Sequence, residues 1–163
     1  MGNSQRNSSK DLGWLGGFVD GEGSIMMLQK SQYNLRSKRG EKYSFFDPAI
    51  KISGTEVTGL NHLTEILDSL GLPHHVSWRI PQNATHKKSW MVEAKGVKRC
   101  LRWCQVLLDC LVIKKKEAEN MLEFCHSRME MQTKYFTKSA PYTDRQYVLI
   151  QSLRGRRKGT RLF

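Results

Sequence analysis

No run of apolar residues in this chain is long enough to cross a membrane, and the polar opening MGNSQRNSSK lacks the apolar stretch of a signal peptide. The expectation is a soluble, intracellular protein with no membrane partner. Cysteine is scarce: four in 163 residues, with no CxxC pair among them. His74–His75 and Cys125–His126 have no second pair at ligand spacing, so a zinc ribbon finds no support. The cysteines read as small buried hydrophobes in a reducing compartment. Acids are the other shortage. There are 15 of them against 27 lysines and arginines, a net charge of 27 − 15 = +12. On a chain long enough for one domain, that excess points to a polyanion, usually nucleic acid; solubility is the plainer reading. No segment occurs twice, which excludes a tandem repeat.

The apolar pattern is that of an α+β domain, a four-stranded antiparallel sheet with helices on one face, in the order αββαββα and then helices. Residues 1–10 are polar and expected to be a flexible N-terminus, with the domain proper at 11–153. Asp11 is placed to cap a helix carrying Leu12, Trp14, Leu15, Phe18 and Val19. Strands are expected at 24–33 and 43–53, joined by a loop rich in Arg36, Lys38, Arg39 and Lys42. Pro48 predicts a bulge or kink in the second strand. Thr55 is placed to cap a helix ending at Gly71. A hairpin at 75–80 and 89–94 alternates cleanly, with Val76, Trp78, Ile80, Trp90, Val92 and Ala94 inward. Helices are expected at 97–111, 114–131 and 143–153. A basic tail, residues 154–163, follows, with Arg154, Arg156, Arg157, Lys158 and Arg161 and no acid.

Alternation also selects the residues of the opposite sheet face: Lys30, Gln32, Lys51, Ser53, Ser77 and Arg79, beside Met26 and Leu28. Lysine and arginine can donate to guanine and glutamine can pair with adenine in the major groove. A strand of ten residues spans about 33 Å, close to one turn of duplex. A solvated outer face is the alternative, and the net charge favours double-stranded DNA over it.

The segment Leu15-Gly-Gly-Phe-Val-Asp-Gly-Glu-Gly23 is the most informative. Gly13, Gly16 and Gly17 share one helix side, a choice that costs helix stability unless another backbone comes close. That backbone could belong to a second helix or to the same domain. Asp20 and Glu22 flank Gly21 at the helix end. A carboxylate beside a free carbonyl suits magnesium, although a polar turn has the same residues.

LGGFVDGEG resembles the LAGLIDADG motif of homing endonucleases, and the helix–strand–strand order after it fits over about residues 11–130. The similarity is to the single-motif type, which works as a homodimer. The resemblance implies that Gly13, Gly16 and Gly17 form the dimer contact. It implies that Glu22 is the metal-binding catalytic acid, with the Gly21 carbonyl as companion ligand. Asp20 is a second candidate in the catalytic set, matching a motif acid whose role is usually structural. Leu111-Val-Ile-Lys-Lys-Lys-Glu resembles the family's basic helix start, placing Lys114 near the site and Lys115 and Lys116 on phosphates. Ser24, Lys87, Lys88 and the basic loop and tail are further DNA-binding candidates. The glutamine that positions water in well-known members has no counterpart, its place falling on Gly54 or Thr55. The implied activity is site-specific, metal-dependent cleavage of both strands of genomic or organellar DNA at a long pseudo-palindromic target, from a gene carried in an intron. Magnesium is the expected cofactor, with manganese as a substitute and calcium binding without supporting cleavage. The alternative is a non-cleaving relative: an RNA maturase that binds intron RNA, or a DNA-binding regulator.

Overall fold

Leu15 and Val19, four residues apart on one helix face, are completely buried and anchor the first helix to the core. A computed structural model describes residues 2–33, 42–81, 87–135 and 140–154. In it α1 runs Gly2–Glu22, so Asp11 lies inside the helix and does not cap its start. No proline interrupts this stretch, and its serines and asparagines each cost less than about 0.7 kcal/mol in a helix. Strand β1 (Gly23–Tyr33) follows without a loop. A Cβ at Gly23 would stand 2.6 Å from the Val19 carbonyl oxygen, so this sharp passage requires glycine.

The remaining elements are β2 (Lys42–Gly54), α2 (Val57–Ser69), β3 (His75–Arg79), β4 (Ser89–Lys95), α3 (Val97–Leu107), α4 (Lys115–Lys134) and α5 (Asp144–Leu153). The strands form one antiparallel sheet in the order β1-β2-β4-β3. Ile25, Met27, Ile50, Ile52, Trp90, Val92 and Ala94 line its buried face against the helices. The expected α+β architecture is therefore present. No helix among the described residues is long and apolar enough to cross a membrane.

Several local expectations are corrected. Pro48 makes no bulge: β1 and β2 pair in unbroken register from Gly23↔Ile52 to Tyr33↔Lys42. The Pro48 carbonyl accepts from Gly96 N (2.9 Å) on the β4 side, where pairing with β4 stops at Ala49. Its missing N–H therefore faces the end of a neighbouring strand, where the ladder has no partner to offer. Helix α2 has Glu56, not Thr55, at its N-cap, without a side-chain bond. It ends as expected at Gly71, whose φ of +59° lets Leu72 N reach the Leu67 carbonyl at 2.8 Å. Trp78 and Ile80, expected inside, are 43% and 77% exposed. Trp78 does pair with buried Trp90, but β3 is an edge strand and the helices pack mainly over β1, β2 and β4. Helix α3 stops at Leu107, leaving residues 108–114 as a connection that proves central to the site.

Candidate active site and nucleic-acid interface

Glu22 is the last residue of α1 and is exposed; it makes no hydrogen bond or ion pair with any described residue. It opens onto a cleft of about 590 Å³ that also takes in Ser53, Thr55, Ser77 and Arg79, with Trp78 and Trp90 on its wall. The cleft thus connects the end of the motif helix to the end of the sheet where the outward residues of β2 and β3 finish. Gly54 also lines it. A Cβ there would lie 2.5 Å from the Trp90 ring, so the position has no room for a water-positioning side chain, and Thr55 is the polar neighbour that remains.

Asp20 has a different place. Its Oδ2 accepts from Val112 N (2.8 Å) and Ile113 N (3.1 Å), and its Oδ1 from Lys114 N (2.8 Å). Three successive amides converge on one carboxylate, an anion nest filled by the protein's own side chain. The Lys114 ammonium donates to the Asp20 carbonyl. Partial burial pushes the Asp20 carboxyl up, but the three amides and the Lys114 charge outweigh it and hold it below its ordinary value. Both Asp20 oxygens thereby tie the α3–α4 connection to α1. Lys114, half-buried, has its ammonium fixed at the Asp20 carbonyl, one residue before Gly21.

A depressed pKa contributes stability above the unfolded value, near 3.8 for this group, and that stability disappears as pH falls through the folded value. Asp20→Asn should therefore lower the melting temperature at neutral pH and flatten its fall below about pH 4, as followed by circular dichroism. An unchanged acid profile would mean that the nest contributes nothing to folding.

The motif glycines divide. Gly16 is buried, and a Cβ on it would meet the Cys110 carbonyl oxygen at 2.4 Å. It is an internal packing position within the chain, with the connection 108–114 passing directly over it. Gly13 and Gly17 are exposed, and a Cβ added to either would have nothing within 4 Å. Together with Gly21 they leave an open strip along α1 at spacing four.

The register places Ser24, Lys30, Lys51, Ser53, Ser77, Ser89 and Arg79 on the outer sheet face, as alternation predicts, with half-buried Met26 and Leu28 beside them. Gln32 shares that register, but its side chain is outside the described residues. Two acids missed in the sequence lie on this face. Asp47 pairs with Lys30, and Glu93 pairs with Lys95 and lies 4.0 Å from Lys51. Period-two counting from Lys51 and Ser89 would have found both. Lys88 lies over the Trp78 ring at 4.4 Å, and Lys87 is exposed. Lys115 and Lys116 are exposed at the start of α4, with Lys116 also 3.3 Å from Glu119. Arg154, the first residue of the basic tail, is the one tail residue described. It packs over Phe46 on the helix side and donates to Gln29 at 2.9 Å, because an arginine stacks on an aromatic face and finds an amide acceptor there. Arg36, Lys38, Arg39, Arg156, Arg157 and Lys158 lie outside the described residues.

Among the described residues no three His, Cys, Asp or Glu side chains come together as a metal-binding group. Cys100, Cys104 and Cys125 are buried as expected, while Cys110 is only half-buried; burial pushes Cys104 up to about 12, and Cys100 and Cys125 are pushed up likewise.

No protein-family model matches the chain, and no curated protein matches it. Solved structures do. The homing endonuclease I-CvuI, in complex with its target in the presence of calcium, matches with a TM-score of 0.61 at 17% identity, over 91% of this chain and 82% of that one. The archaeal intron-encoded homing endonuclease I-Vdi141I, complexed with DNA, matches with a TM-score of 0.60 at 16% identity, over 89% and 82%. The LAGLIDADG homing endonuclease I-LtrWI, bound to target DNA, matches with a TM-score of 0.56 at 16% identity, over 91% of this chain but 44% of that one. The chain has the fold of the LAGLIDADG homing endonucleases.

Proposed function

We propose that this chain is one half of a homodimeric endonuclease that recognises a long pseudo-palindromic DNA site and hydrolyses both strands. The observation that carries the reading is the cleft in which Glu22, exposed and without a partner among the described residues, meets the cleft-lining ends of the outer sheet face. A sheet that reads bases and an acid that serves phosphate chemistry would otherwise have no reason to share one opening. The fold likeness to DNA-bound endonucleases supports it, and so does the net charge of +12.

Magnesium fits the donors present. It favours oxygen, keeps several waters and takes only one or two carboxylates alongside substrate phosphate, so it needs no all-protein cage. Glu22 and the Gly21 carbonyl would hold it at the end of α1, a helix with no basic residue in its last turn. When bound, the ion would supply charge neutralisation at the reacting phosphate oxygens. Lys114, whose backbone and ammonium both bond to Asp20 two residues before Glu22, would bring positive charge toward that position.

One chain offers one such acid, and two strands need two. The open strip at Gly13, Gly17 and Gly21 is where a second α1 would lie. Val112 and Ile113, 82% and 75% exposed on the connection that Asp20 ties to α1, would widen that interface. A functional site completed only by a second copy also accounts for the 44% coverage of I-LtrWI, a chain long enough for two such units.

The direct test incubates purified protein with a randomised duplex pool and magnesium. Recovery of one site cut on both strands supports the reading. Recovery of a bound but uncut site favours the maturase or regulator instead. Binding should weaken steeply with salt. Removing residues 155–163, which spares packed Arg154, should flatten the plot of log affinity against log salt by about 0.9 for each phosphate no longer neutralised. A changed site preference with an unchanged slope would reverse the role given to the tail.

A further inference from the structure

We propose that Glu93 is a positioning residue for sequence discrimination: it fixes Lys51 and Lys95 on the outer sheet face so that their ammonium groups address guanine edges at set places. This rests on the duplex-reading function proposed above and extends it to a residue of opposite charge. Glu93 stands in the middle of β4, directly across from Lys51 on β2 and two residues before Lys95. Although it points to the open face, it is only 7% exposed. Its Oε1 accepts from Lys95, while its Oε2 is buried, 4.0 Å from Lys51 and without a hydrogen bond.

An acid here is unfavourable on two grounds. A buried acceptor without a hydrogen bond costs stability. A negative charge on a face offered to a polyanion also costs affinity. Neither cost makes sense for a surface that only grips phosphates, where lysines alone would serve. For reading bases the acid has a use. Lysine is a flexible point charge carrying about 2 kcal/mol of rotamer entropy, and an untethered one follows the nearest phosphate. The carboxylate restricts that freedom, holding Lys95 by a hydrogen bond and drawing Lys51 by charge alone at 4.0 Å, and it cuts the trio's net charge to +1 (two lysines less one glutamate). The result is two ammonium groups from diagonal positions on neighbouring strands, roughly 7–8 Å apart at the backbone, each able to donate to guanine O6 or N7. Further along the sheet Asp47 likewise holds one lysine, Lys30.

The experiment compares wild type, Glu93→Gln and Lys95→Met in selection from a randomised duplex pool, then measures affinity against salt on the selected and a scrambled duplex. Glu93→Gln should lose roughly tenfold in discrimination at one or two guanine positions and leave the others alone. Its binding to the scrambled duplex should tighten, with a slope steeper by about 0.9 for one newly reached phosphate. Lys95→Met should relax one of the same positions and make the slope shallower. If the glutamine variant does not fold, as judged by its melting curve, the positions relaxed by Lys95→Met and Lys51→Met decide: shared or adjoining guanines support the proposal, and unrelated positions overturn it. An unchanged preference in Glu93→Gln, or a uniform loss at every position, overturns it as well. A wild type with no preference at all overturns the duplex-reading function itself, a result recognisable before any variant is made.

Discussion

Glu22→Gln should lower cleavage by about 10²–10³-fold, the scale expected when charge stabilisation at a reacting oxygen is removed, and leave DNA affinity unchanged. The substitution keeps the side chain's length and one acceptor oxygen, and removes the negative charge a hard cation needs. Folding should be indifferent to it, because Glu22 is exposed and has no partner among the described residues; surface changes of that kind stay within about 0.5 kcal/mol. The measurement is single-turnover cutting of a plasmid carrying the selected site, beside a gel shift of both proteins. Calcium should reproduce the variant's behaviour in the wild type, holding the complex without cutting. Equal cutting by both proteins would place the essential acid elsewhere. Asp20 could not easily take over, since both its oxygens are held by backbone amides of residues 112–114.

The strands were legible in the sequence because a half-buried strand alternates, and the alternation of Ile50 and Ile52 against Lys51 and Ser53 already separates the two faces. The same rule placed Trp78 and Ile80 inward. It failed there because period two identifies a face and says nothing about whether a helix covers it, and β3 is an edge. Asp47 and Glu93 escaped notice for a related reason: an acid between lysines reads as diluted charge until cross-strand pairing brings them together. The Asp20 nest spans more than ninety residues of chain, so no local signal could reveal it. The motif marked Glu22 correctly as the end of a helix. What faces that end, the Ser53–Thr55 turn and the edge strand, is decided by the order in which the strands assemble.

The glycines of α1 show how far helical periodicity reaches and where packing must finish the argument, and they set the second large expectation. Gly17→Leu should leave a folded monomer that does not cut. Nothing lies within 4 Å of the added Cβ, and leucine is favoured over glycine inside a helix by about 0.8 kcal/mol, so the chain alone should be no less stable. Any loss must then arise between chains, where a bulky side chain on the open strip would hold two α1 helices apart and separate the two Glu22 carboxylates. Gly16→Ala is the contrasting change. Its single methyl meets the Cys110 carbonyl at 2.4 Å, backbone against backbone, and overpacking of this kind costs about 1–3 kcal/mol. It should lower the melting temperature of the chain itself, whatever its association state. Sedimentation at micromolar concentration, with and without duplex, paired with thermal melts of all three proteins, separates the two effects. A wild type that remains monomeric on DNA, or a Gly17→Leu protein that still sediments as a dimer and cuts, would remove α1 from the interface and leave Val112 and Ile113 as the surface to examine next.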